Sequence, residues 1–92
     1  MMKPPRGSEQ WTPEDYETLK LLWETDAPLQ DICQALGRSA SSVAAQLANK
    51  GYVYFSMKHD AYVRIVPVPV LWTTRELREI NNATWTDKED PT

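Results

Sequence analysis

Glycine is scarce in this 92-residue chain, and cysteine, histidine and phenylalanine occur once each. Each shortage excludes something. The lone Cys33 can form no internal disulfide, so a cross-linked extracellular scaffold is ruled out. His59 has no second histidine or cysteine at ligand spacing, and beside Asp60 it reads as a turn residue rather than a metal ligand. Three glycines make no Gly-rich phosphate loop, and no nucleophile motif stands elsewhere, so the sequence reads as a non-enzyme without a cofactor. No apolar run approaches the ~20 residues of a membrane span. The opening Met1-Met2-Lys3-Pro4-Pro5-Arg6 leads into polar sequence without an apolar signal region, and the expected location is the cytoplasm.

What is present fits a small folded chain. Hydrophobic residues make up 41% and charged residues 25%, enough for one modest core. The net charge of −3 excludes nucleic-acid affinity by bulk charge. That total is unevenly spread: residues 9–31 carry −6, whereas residues 32–66 carry +3 through Arg38, Lys50, Lys58 and Arg64 against Asp60. A basic middle can face a polyanion while the acidic part points away; it is equally the kind of clustering a short chain shows by chance.

Residues 1–10, with two prolines and Gly7, read as a flexible basic arm whose Lys3 and Arg6 can reach into a minor groove. Residues 11–66 then read as the principal domain. Thr12 is an N-cap, Pro13 suits the first helical position, and Asp15 completes a capping box. Trp11 and Tyr16 form a hydrophobic staple, and Tyr16, Leu19, Leu22 and Trp23 share one helical face. Leu29, Ile32, Cys33 and Leu36 mark a second helix stopped by Gly37. Ser39 caps a third, which turns Val43, Ala44, Leu47 and Ala48 inward and ends at Gly51. Residues 52–57 and 61–66 are rich in β-formers around a turn-like Lys58-His59-Asp60, predicting a β-hairpin. Residues 67–92 form a Pro-interrupted segment: Pro67 and Pro69 break the ladder, Thr73 or Thr74 caps a short helix over 75–82, and residues 86–92 read as a frayed tail. The fold class is therefore mainly α, a three-helix bundle followed by a wing-like hairpin and a short C-terminal helix. Trp11, Trp23, Tyr16 and Phe55 are expected in the core. Trp72 and Trp85 either lie back on the domain or mark a partner surface.

The second and third helices satisfy the demands of a helix-turn-helix. A close crossing needs a small residue at the contact (Cys33), a glycine four later for the turn (Gly37) and an apolar anchor six after that (Val43), with Ile32 and Leu36 filling the space behind. The run Trp11-Thr12-x-Glu14, then Leu19-Lys20-x-Leu22-Trp23, Ile32, Leu36-Gly37-Arg38-Ser39 and Val43 resembles the Myb/SANT-like trihelical DNA-binding domains, particularly the bacterial and phage GcrA-like type. The resemblance covers roughly residues 9–52. It implies a trihelical domain with Trp11 and Trp23 inside, residues 39–50 as the recognition helix, and a role in transcription with contacts to RNA polymerase in some members. The sequence departs from it in a third helix almost without charge and in the hairpin that follows.

On that reading the DNA contacts fall to eight residues. Ser42, Gln46 and Asn49 lie, with Ala45, opposite Val43 and Leu47, and amide side chains can pair bidentately with adenine. Arg38 and Ser39 stand at a helix N-terminus, where phosphate is favoured. Lys50, Lys58 and Arg64 extend the backbone contact. The partner expected is double-stranded DNA. With so few phosphate contacts, tight binding requires a homodimer or a protein partner. The alternative is an interaction module docking on RNA polymerase or another DNA-bound factor, for which the acidic first helix and the two late tryptophans argue. A structural subunit of a phage particle is a third reading.

Overall fold

The computed structural model describes residues 10–64 and 70–85. Their order is α1 (Pro13–Glu24), α2 (Leu29–Leu36), α3 (Ala40–Asn49), β1 (Val53–Ser56), β2 (Ala61–Arg64), β3 (Val70–Thr73) and α4 (Thr74–Trp85). The expectations for the basic arm (Lys3, Arg6), for residues 65–69 and for the 86–92 tail lie outside the described residues. No helix among the described residues is long and apolar enough to cross a membrane.

Helix α1 starts where its capping signals place it. The Thr12 hydroxyl accepts from Asp15 N at 3.2 Å, and the Asp15 carboxylate accepts from Thr12 N at 2.9 Å. Trp11 stacks on Tyr16 with ring centroids 5.4 Å apart, forming the expected staple. The helix ends at Thr25, and Asp26 follows at φ 61°, a left-handed conformation that Asp tolerates better than most residues. Helix α2 stops at Gly37, whose φ of 67° is open to glycine at little cost. Ser39 then caps α3 by accepting from Ser42 N at 3.2 Å.

The core is built mainly from the inward faces of these helices. Leu19, Ile32, Cys33, Val43, Ala44 and Leu47 are fully buried, with Leu29, Leu36, Ala40 and Val53 around them. Helix α4 contributes Leu77 and packs on both α2 and α3.

The sheet has order β1-β2-β3, antiparallel throughout. The first pair is the expected hairpin, with Val53 opposite Arg64 and Ser56 opposite Ala61. Strand β3 was not expected; it pairs Thr73 with Ala61 and Trp72 with Tyr62. Thr73 caps α4 in a second capping box: its hydroxyl accepts from Glu76 N, and the Glu76 carboxylate accepts from Thr73 N, both at 3.0 Å. The helix then runs to Trp85, beyond the expected end at residue 82.

Among the aromatics, Phe55 is 42% exposed rather than in the core; its ring and that of Tyr62 meet edge to face, with centroids 5.2 Å apart. Trp11, Trp23, Trp72 and Trp85 are all half-buried against the core. Trp23 stacks on Tyr52 and meets Trp72 edge-on at 6.3 Å, so one indole of α1 joins the helices to the sheet.

Candidate nucleic-acid interface

The α2–α3 connection orients the candidate face. Gly37 N and Arg38 N both donate to Cys33 O, at 2.8 and 3.2 Å, turning the chain sharply over the fully buried Cys33. Helix α3 leaves this turn with one face committed to the core through Ala40, Val43, Ala44 and Leu47. Its opposite face carries Ser41, Ala45 and Asn49 exposed, with Ser42 and Gln46 half-buried beside them. That face is uncharged. Asn49 Nδ2 donates to Gln46 Oε1 at 3.4 Å, a long bond easily exchanged for one to a base edge. Ser42, Gln46 and Asn49 are thus brought together as expected. Ser41 completes their stripe; it lies one turn before Ala45, a spacing the sequence already displayed.

Arg38 requires correction. Instead of reaching outward for phosphate, its side chain turns back under α1 and is 1% exposed. Nη2 donates to Asp15 Oδ2 at 3.0 Å and to Gln10 O at 3.1 Å, and the guanidinium lies 4.6 Å from the Trp11 ring centroid. Burial of a charge demands a paired partner, and the α1 carboxylate supplies it. Ser39 is half-buried and its hydroxyl serves the cap.

The other cations remain within reach of solvent. Lys50, the exposed C-cap residue of α3, holds Nζ 4.0 Å above the Tyr16 ring. Arg64, half-buried, lies 5.2 Å from the Trp23 ring. Three cations of the basic middle therefore rest on three successive aromatics of the α1 segment: Trp11, Tyr16 and Trp23. Lys58 is exposed in the hairpin turn. That turn is fastened to the start of α4, because Thr74 N donates to Asp60 O at 3.3 Å and Thr74 Oγ1 to Asp60 Oδ1 at 3.2 Å.

Helix α4 covers part of the α3 N-terminus. Asn81 Oδ1 accepts from Ala40 N at 3.2 Å, and Trp85 Nε1 donates to Arg38 O at 3.1 Å. Ser41, Thr74, Leu77, Arg78 and Asn81 line a shallow depression there. Arg78 thus stands as an exposed cation beside the start of α3, the place the sequence reading gave to Arg38. Nothing in local spacing could have shown this, since it depends on α4 folding back by some forty residues.

Comparison of the chain with family models, with curated proteins and with solved structures gave no match.

Proposed function

We propose that this chain is a helix-turn-helix protein that reads double-stranded DNA and acts in transcription, with α3 in the major groove. The observation that carries this reading is the outward face of α3. Ser41, Ser42, Gln46 and Asn49 offer hydroxyls and amides without a charge to desolvate, and exposed cations stand at both ends of the helix, Arg78 and Lys50. Phosphates are held by these two, with Lys58 and Arg64 of the hairpin extending the contact. The close α2–α3 packing, with Cys33 and Val43 buried and Gly37 left-handed, supports the same reading.

Four cations set a modest electrostatic contribution. The salt slope expected of them is about −3 to −4, at about −0.9 per phosphate neutralised. The acidic remainder of the chain opposes association, so a second copy or a protein partner adds the contacts that tight binding needs. Fluorescence anisotropy with a selected duplex, titrated with salt, tests the reading. Binding with that slope, and loss of sequence preference in Gln46→Ala plus Asn49→Ala, is the expected result. Absence of salt-dependent binding to any duplex overturns it.

A further inference from the structure

Away from α3, two open depressions meet on a shared floor of Leu71 and Trp72. One, of about 330 Å³, runs between β3 and α4 past Gln30, Ile80 and Ala83. The other, of about 340 Å³, runs under the α1–α2 turn past Ala27 and Pro28. Each is at the small end of ligand-sized pockets, ~300–1,000 Å³, and suits an anchoring side chain rather than an enclosed metabolite. Their common residue Trp72 is half-buried and amphipathic, the type of residue on which binding energy concentrates.

The charge around this floor is one-sided. Asp26, Glu76 and Glu79 line the rim, and exposed Asp31 follows Gln30 on α2. Among the described residues the one cation of the lining, Arg64, is laid over the Trp23 ring. Glu79 meets Arg75 at 3.5 Å, but both are largely exposed, and such a pair gives way readily to a competing cation. An apolar floor whose rim carries more carboxylates than cations fits a segment of the opposite character.

We infer that this groove binds a cationic peptide segment of a partner protein, with one large apolar side chain seated on Leu71 and Trp72 and flanking Lys or Arg residues over Asp26, Glu76 and Glu79. No residue of α3 lines either depression, so the face formed by Gln46 and Asn49 stays open when the peptide is bound, although Arg64 borders both the groove and the proposed phosphate contacts. The chain is then a two-faced adaptor, with polar α3 on one side and an acid-rimmed apolar groove on the other. The groove inference does not depend on the DNA reading.

Selection of short random peptides on the full chain tests it. The selected peptides are expected to carry an aromatic or Leu anchor between basic residues, and to shift the amide and indole resonances of Leu71, Trp72, Ile80 and Ala83. Ala83→Arg, on the exposed side of α4, is expected to abolish their binding. Asp26→Asn with Glu79→Gln is expected to weaken it about three- to tenfold at low salt, through loss of electrostatic attraction at the rim. Asn retains the left-handed conformation at position 26, and Glu79 takes no part in the α4 cap, so circular dichroism should show both proteins folded. Failure to select any peptide, selection of neutral or acidic ones, or binding indifferent to Ala83→Arg overturns the inference. So does concentration-dependent self-association through this groove, with the exposed Met57-Lys58 turn of a second copy as its occupant. DNA binding unchanged in Ala83→Arg separates the fate of this inference from that of the DNA reading.

Discussion

Asp15 Oδ2 is shared between two tasks: it accepts from Thr12 N at 2.9 Å and from Arg38 Nη2 at 3.0 Å. The atom that closes the α1 cap also neutralises the cation of the α2–α3 turn. Both side chains are almost fully withdrawn from water, and each offsets the other's buried charge. Arg38→Met removes the cation paired with a buried carboxylate and is expected to cost about 3–5 kcal/mol. Combining it with Asp15→Leu should recover part of that, because the buried charge is then gone from both sides, although the cap is lost. Urea unfolding of the single and double variants measures this. If Arg38→Met unfolds at the same urea concentration as the parent and only DNA affinity falls, the side chain is free to leave its site.

The cations that do face solvent should behave differently. Lys50→Gln and Arg78→Gln are each expected to lower the DNA salt slope by about 0.9, the value of one phosphate contact. Tyr16→Leu removes the ring beneath Lys50 without removing the charge. It should therefore leave the slope unchanged and lower stability by about 1–2.5 kcal/mol, since the ring's contact with Lys50 and its stack on Trp11 are lost together. Anisotropy at several salt concentrations, alongside thermal melts, separates charge from packing. An equal slope in Lys50→Gln and the parent removes Lys50 from the interface.

Burial has a pH consequence at Cys33. Withdrawal from water pushes its thiol up to about 12 from an ordinary value of 9.0. Below pH 9 both folded and unfolded chains hold the proton, and the thiol has no effect on stability. Between pH 9 and 12 the unfolded chain releases the proton while the folded chain keeps it. Stability from this group therefore falls as pH rises, with a limiting slope of about 1.4 kcal/mol per pH unit. Cys33→Ala provides the control, since the thiol is the one ionisable group by which the two proteins differ. The difference in unfolding free energy between parent and variant should be flat up to pH 9 and then move against the parent. A difference that stays flat to pH 11 means the thiol ionises in place. At neutral pH the same burial should make thiol reagents slow until urea is added.

Local rules account for the parts of the fold that were legible in sequence. Thr12, Asp15, Gly37 and Ser39 act on their immediate neighbours through caps and a left-handed stop, and each stands where its spacing placed it. The hairpin was legible for the same reason. Strand β3 was not: prolines at 67 and 69 in the sequence argue against a further strand, and Val70–Thr73 is defined by its pairing with β2, a contact between segments that local rules do not supply. At the site, Ser42, Gln46 and Asn49 follow from helical periodicity alone. Arg38 could not be placed that way. A basic residue after a helix stop reads as a phosphate ligand unless a carboxylate waits on another helix, and Asp15 lies 23 residues earlier with a cap role that already accounts for it in sequence. Arg78 was hidden for the converse reason, since its place beside Ser41 comes from the return of α4.

Asn81 offers a test in which stability and DNA affinity move in opposite directions. Its Oδ1 accepts from Ala40 N at the first turn of α3, and Ala40 is fully buried. Asn81→Ala leaves that buried donor without its acceptor and should destabilise by about 1–3 kcal/mol. Asn81→Asp keeps an acceptor in place and adds a negative charge at the positive end of the helix dipole, which should stabilise by about 0.3–1 kcal/mol at low salt. The same charge, beside Ser41 and Arg78, opposes any phosphate approaching the start of α3. The Asp variant should therefore melt higher and bind duplex DNA more weakly, with both effects fading as salt is raised. A protein stabilised in this way whose DNA affinity is untouched would place the phosphate contacts elsewhere than at the α3 N-terminus, and Arg78 would lose its part in the interface.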